Sequence, residues 1–136
     1  MRLWHVDLIP KLPRQQLLGQ HRECCALRGN GWGRKHSTIN YVFDHPYAIL
    51  FSYHIKIMDE MIKRGYQVSK EWLDIQYRGK DIGIDNTDFI LVPVELYNYP
   101  EHNETYLQEC LQNLKQKGII LWFRNMIIQQ DTAGWE

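Results

Sequence analysis

The stretch from Pro46 to Gly65 leaves the chain almost no option but a helix. Proline suits a helix start because its missing N–H would have no partner there, and Asp44 stands just upstream as a possible cap. Tyr47, Leu50, Phe51, His54, Ile57, Met58, Met61 and Ile62 recur at spacings of three and four, which puts them on one broad apolar face. Lys63 and Arg64 follow where cations complement the helix dipole, and Gly65 suits the left-handed residue that ends a helix. So wide an apolar face needs cover. After Pro13, residues 14 to 28 carry Leu17, Leu18, His21, Cys24, Cys25 and Leu27 in the same rhythm, until Gly29-Asn30-Gly31 and Gly33 break it. A third helix is expected from Pro100–Asn103 to Lys117, with Tyr106, Leu107, Cys110, Leu111 and Leu114 inward and Gly118 as its stop. Residues 1 to 12 read as an extended lead broken at Pro10, and residues 66 to 99 as loops and short helical turns, Phe89–Val92 being apolar enough for a strand or a short buried helix. The expected architecture is mainly α: a single compact domain over 1–136 with three principal helices and an extended N-terminal segment packed against the first.

No apolar run approaches the roughly 18 residues of a membrane span; the longest is Ile119–Phe123. Charged residues interrupt the first fourteen positions where a signal peptide would be apolar. These features predict a soluble, cytoplasmic monomer. The three cysteines, Cys24, Cys25 and Cys110, form no C-x-x-C pair and read as small core residues. The formal net charge is zero, yet residues 1–36 hold seven basic and two acidic side chains, a net +5 balanced by −5 in the rest. A basic half beside an acidic one can draw phosphate without indiscriminate binding; a charged helix face would look the same.

The familiar catalytic signatures are absent: no phosphate-binding glycine loop, no G-x-S-x-G and no H-E-x-x-H. The six histidines lack zinc-ligand spacing, so no metal or organic cofactor is expected, and His54 reads as a core histidine with one hydrogen-bond partner. The order of the first motifs is more informative. Gln15-x-Leu17 opens the first helix, Arg22-Glu23 follows, then Arg34-Lys35-His36, and the second helix ends in Lys63-Arg64-Gly65-Tyr66. In this the chain resembles the pyrimidine-dimer DNA glycosylase/AP lyases of the phage endonuclease V type, closely over 1–68 and loosely over 100–118.

That resemblance implies a DNA-repair enzyme acting on duplex DNA with a damaged or abasic nucleotide. The free α-amino group of Met1 would attack C1′ and form an imine, with Glu23 assisting proton transfers through β-elimination. The choice of amine is chemically sensible: an α-amino group has a reference pKa near 7.7–8.0 against about 10.4 for lysine, so far more of it is free base at neutral pH. Arg2 and Arg22 would bind phosphates at the lesion, Arg28 would supply a third arginine contact, and Arg34, Lys35 and His36 would hold the strand backbone. Gly19, one turn before Glu23, would let the lead segment approach. Simpler uses remain: Glu23 paired with Arg22 or Lys11, the basic triplet as a solvated loop, and the tail's Trp122 and Phe123 packing the core rather than touching DNA. The phage enzymes begin Met-Thr and expose threonine, whereas the bulk of Arg2 here should retain Met1. Gln16 replaces a histidine, and residues 69–99, with Glu71, Asp74, Asp81, Asp85, Asp88 and Glu95, look like an acidic insertion. The alternatives are a non-catalytic nucleic-acid- or protein-binding domain on this scaffold, and an enzyme of another class such as a histidine-dependent nuclease.

Overall fold

The computed structural model describes residues 2–87, 89 and 98–121. Three α-helices carry the fold: α1 (Arg14–Arg28), α2 (Tyr47–Lys63) and α3 (Glu104–Gln116). Short 3-10 turns precede each of them or link them, at Val6–Lys11, Asn40–Asp44 and Lys70–Leu73. Among the described residues there is no strand, only an isolated antiparallel bridge between Tyr77 and Ile84. Among the described residues no helix is long and apolar enough to cross a membrane.

α1 packs on α2, and the Val6–Lys11 turn packs on α2 as well. The core joins Leu3, Leu8 and Leu12 of the lead, Leu17, Cys24 and Leu27 of α1, Leu50, Ile57 and Met61 of α2, and Leu107, Cys110 and Leu114 of α3. α2 starts at Pro46 and closes as its sequence suggests. Gly65 takes φ +85°, and the Tyr66 N–H donates back to the Met61 carbonyl at 2.8 Å. Asp44 does not cap it; the N-cap is Pro46, with no side-chain hydrogen bond. The buried surface of α2 is also wider than one stripe. Ile49, Ser52 and Tyr53 are buried along with most of the expected positions, while Phe51 is half-buried and Ile62 is 50% exposed. A helix lying under cover on more than one side has no clean polar face.

The lead is extended only to His5. A 3-10 turn then runs through Pro10, started by His5, whose Nδ1 accepts the Asp7 N–H at 3.0 Å. Leu8 and Ile9 are buried by that turn, which a straight strand would not do. Its far end is clamped to α2: Arg64 donates to the Leu12 carbonyl at 2.7 Å and to Pro10 at 3.1 Å. Asn103 caps α3 by accepting the Tyr106 N–H, and Gly118 at φ +84° ends it. Val92 and most of the Phe89–Val92 stretch lie outside the described residues, as do Trp122 and Phe123; the described Phe89 ring lies 5.1 Å from Tyr47.

Candidate active-site cleft

Gln20, on α1, organises the surroundings of Glu23. It is 1% exposed, and every polar atom of its amide is used. Its Oε1 accepts the Trp4 N–H at 2.7 Å. Its Nε2 donates to the Arg2 carbonyl at 3.1 Å and to Glu23 Oε2 at 3.0 Å. The Tyr53 hydroxyl, reaching from α2, lies 2.7 Å from the Trp4 carbonyl and 2.9 Å from Gln20 Oε1. Because Oε1 faces these donors, the amide can point only its NH2 at Arg2 and Glu23, so the orientation follows from the network. One buried side chain thus joins residues 2–4 to the Glu23 carboxylate. Gln20 and Glu23 are three apart on α1 and share a face.

Glu23 is half-buried. Burial holds its carboxyl above the ordinary glutamate range, and the Gln20 hydrogen bond, the nearby Lys117 charge and a hydrogen bond from the Arg2 backbone pull against that shift without cancelling it. The carboxylate opens into a cleft of about 310 Å³ lined by Arg2, Trp4, Glu23, Thr38, Asn113 and Lys117. A second cleft of about 300 Å³ shares Arg2 and Thr38 with the first and is walled by Tyr41, Tyr106, Glu101 and Glu109. Arg2 therefore stands between two hollows, with its guanidinium 3.5 Å from Glu109 and 5.7 Å from the Tyr106 ring centre.

The other residues singled out from the sequence fall into three groups. Arg34, Lys35 and His36 are exposed on the loop that runs directly into Ser37 and Thr38, residues of the two clefts. Arg22 is exposed on α1, and a Cβ added at Gly19 would lie 3.7 Å from its guanidinium. Among the described residues none of the lead comes within 4 Å of that Cβ position, where Arg22 is the neighbour. Met1 lies outside the described residues.

Arg28 requires correction. It is fully buried, and its five N–H donors meet five acceptors: Tyr47 Oη at 2.9 Å, His54 Nδ1 at 2.9 Å, and the carbonyls of Trp72, Asp74 and Tyr77 at 2.7, 2.9 and 3.1 Å. The rings of Trp72 and Phe51 lie 4.9 and 5.0 Å away. No face is left for a phosphate. Arg28 instead ties the segment after α2 to the C-terminal end of α1. Arg78 reinforces the tie, donating to the Arg28 carbonyl and lying 4.0 Å from the Tyr47 ring centre.

The fold also gathers a trio that sequence spacing did not suggest. His21, Cys25 and His54 bring their donor atoms within 4.8 Å of one another, a set that could hold a metal ion. The hydrogen bonds run the other way. Arg28 donates to His54 Nδ1, so in the neutral ring the proton sits on Nε2, 2.8 Å from His21 Nδ1. The remaining His21 nitrogen then turns its N–H toward Cys25 Sγ, 3.8 Å away. A metal-bound histidine passes its second N–H outward to an acceptor, whereas His54 receives a cation's donor there. Burial and the Arg28 charge lower the basicity of His54 well below its usual value. Burial pushes the Cys25 thiol up to about 11. The polarity is that of a buried relay joining α1 to α2, in which His54 has Arg28, His21 and the more distant Cys25 as partners rather than one.

Comparison with known proteins fits this geometry. The model of one protein family, described as pyrimidine dimer DNA glycosylase, matches residues 1–74, which hold the lead, α1, α2, Gln20 and Glu23. The chain matches none of the curated proteins and none of the solved structures. With more than half of its length covered by that match, the chain belongs to the pyrimidine dimer DNA glycosylase family.

Proposed function

We propose that the Glu23 cleft is the active site of a DNA-repair glycosylase with AP-lyase activity that works through an imine on the α-amino group of residue 1. The observation that carries this reading is the Gln20 amide, which binds the Arg2 carbonyl and the Glu23 carboxylate together. The α-amino nitrogen is three bonds from the Arg2 amide nitrogen, so covalent geometry keeps the two within about 4 Å. An amine so tethered to Arg2, whose backbone bonds to a carboxylate raised by burial, would meet what imine chemistry requires.

The amine, as free base, attacks C1′ of the damaged nucleotide, and the base departs. Loss of the sugar ring bond yields the C1′ imine. Glu23, ionised, then takes the C2′ proton, and the 3′ phosphate leaves. A carboxyl raised above its usual range suits both receiving and returning that proton. On this reading Arg2, which lines the cleft, together with the exposed Arg22, Arg34, Lys35 and His36, would hold the phosphates around the lesion. The extruded nucleotide would cost least to unpair where the duplex is already damaged.

Borohydride trapping tests the reading. Protein with a free amine at residue 1, incubated with abasic-site duplex and borohydride, should give a covalent adduct that peptide mass mapping places at residue 1. A non-catalytic binding domain would shift the DNA in a gel yet give no adduct, and that result would remove the proposal.

A further inference from the structure

The Glu23 cleft is lined by a side-chain primary amine. Lys117 lines the same 310 Å³ hollow, its charge acts on the Glu23 carboxyl, and its Nζ lies 5.2 Å from the ring centre of Trp4, another wall of that hollow. Its backbone is well placed for a surface lysine. It is the C-cap of α3, its N–H donates to the Leu114 carbonyl at 2.9 Å, and the next turn is closed by Gly118 at φ +84° and by Ile119 donating to Leu114 at 2.9 Å. Below it, Leu107, Cys110, Leu111 and Leu114 anchor α3 in the core. Asn113, one turn earlier on the same helix face, is a further cleft residue.

We infer that Lys117 is a second imine-forming residue of this cleft, used on abasic sites, where no base has to be expelled. The inference rests on the reading of the Glu23 cleft as the active site. The ring-opened abasic sugar presents an aldehyde at C1′. Lys117 Nζ, having given its proton to solvent, adds to that carbon; water leaves and a protonated imine forms. Glu23 takes a proton from C2′, the C3′–O bond breaks, and its electron pair leaves on the phosphate. Water then hydrolyses the imine and returns the amine. The chain would thereby keep AP-lyase activity when residue 1 is acylated or extended.

The test uses the full chain in two forms, one with a free amine at residue 1 and one carrying a short N-terminal peptide that lacks lysine and has an acetylated amine. Both are incubated with abasic-site duplex and borohydride, digested and mapped. The expected result is an adduct on the extended chain located at Lys117. Lys117→Arg should abolish it, and Lys115→Arg, two positions earlier on α3, should leave it unchanged. Trapping of the free-amine form at residue 1 with none on the extended chain overturns the inference and leaves the assignment of the active site standing. An extended-chain adduct that survives Lys117→Arg overturns it too. No adduct on either form overturns both readings.

Discussion

Arg28 and Glu23 are five positions apart on one helix, and the fold gives them opposite settings. A guanidinium can satisfy five acceptors only because it is planar with donors in a fixed fork, and Arg28 uses all five. Lysine has three donors. Arg28→Lys should therefore leave at least two buried acceptors unpaired and lower stability by about 2–5 kcal/mol, read from urea unfolding. Its DNA affinity measured on the folded fraction should stay near that of the unaltered protein. Glu23 carries a cost of another kind. Its folded state holds a proton that the unfolded chain releases above about pH 4.3. Stability is therefore greatest below that window and falls as pH rises through the raised folded value. Glu23→Gln, which keeps an acceptor for Gln20, should raise the urea midpoint at pH 7 and flatten that part of the pH profile; a lower midpoint at pH 7 would contradict the burial argument. From the sequence, Arg28 looked like one more cation of a basic half. Nothing local distinguishes a buried arginine from an exposed one when its acceptors come from residues 47 to 77.

At the scale of elements, the helix boundaries were legible because their signals are local. Proline starts and glycine stops bracket α1 and α2 to within a residue or two, and the Asn103 cap and Gly118 do the same for α3. The faces were less legible. Tyr53 and Ile49 of α2 are buried off the expected stripe because the lead and the segment after α2 cover the helix on different sides. The Val6–Lys11 turn was hidden by Pro10, which reads as a break and does stand one residue before the turn's end. Gln20 was the missed residue of the site. A polar position in line with Leu17 and Cys24 was the available clue, and a glutamine that shares a face with Glu23 is placed to orient it. Gln20→Met keeps the volume and removes the donors. The variant should lose about 2–4 kcal/mol of stability from the unpaired Trp4 N–H and Arg2 carbonyl. It should also lower kcat more than it raises KM, since it frees the lead from the carboxylate without touching the phosphate contacts. A KM effect with unchanged kcat would show that Gln20 serves DNA binding rather than catalysis.

Over the whole molecule the charge is arranged rather than abundant. The net charge is zero, and of the seven basic residues of 1–36 Arg28 is a buried strut, Arg2 lines both clefts, and Lys11, Arg14, Arg22, Arg34 and Lys35 are exposed. The acidic segment after α2 joins the other side of α1 through Arg28 and Arg78, so its carboxylates need not face the cleft of Glu23. Arg34→Gln and Lys35→Gln should each weaken binding to duplex DNA without sequence preference and reduce the slope of log affinity against log salt by about one. An unchanged slope would make that loop a solvated one. On the proposed reading Glu23, held by Gln20 close to residues 2–4, moves the protons of strand cleavage. Single-turnover cleavage of abasic-site duplex by Glu23→Gln against the unaltered protein tests it most directly. Glu23→Gln should lose roughly 10²–10⁴-fold in rate with DNA binding retained; cleavage at the original rate would rule out that role for Glu23.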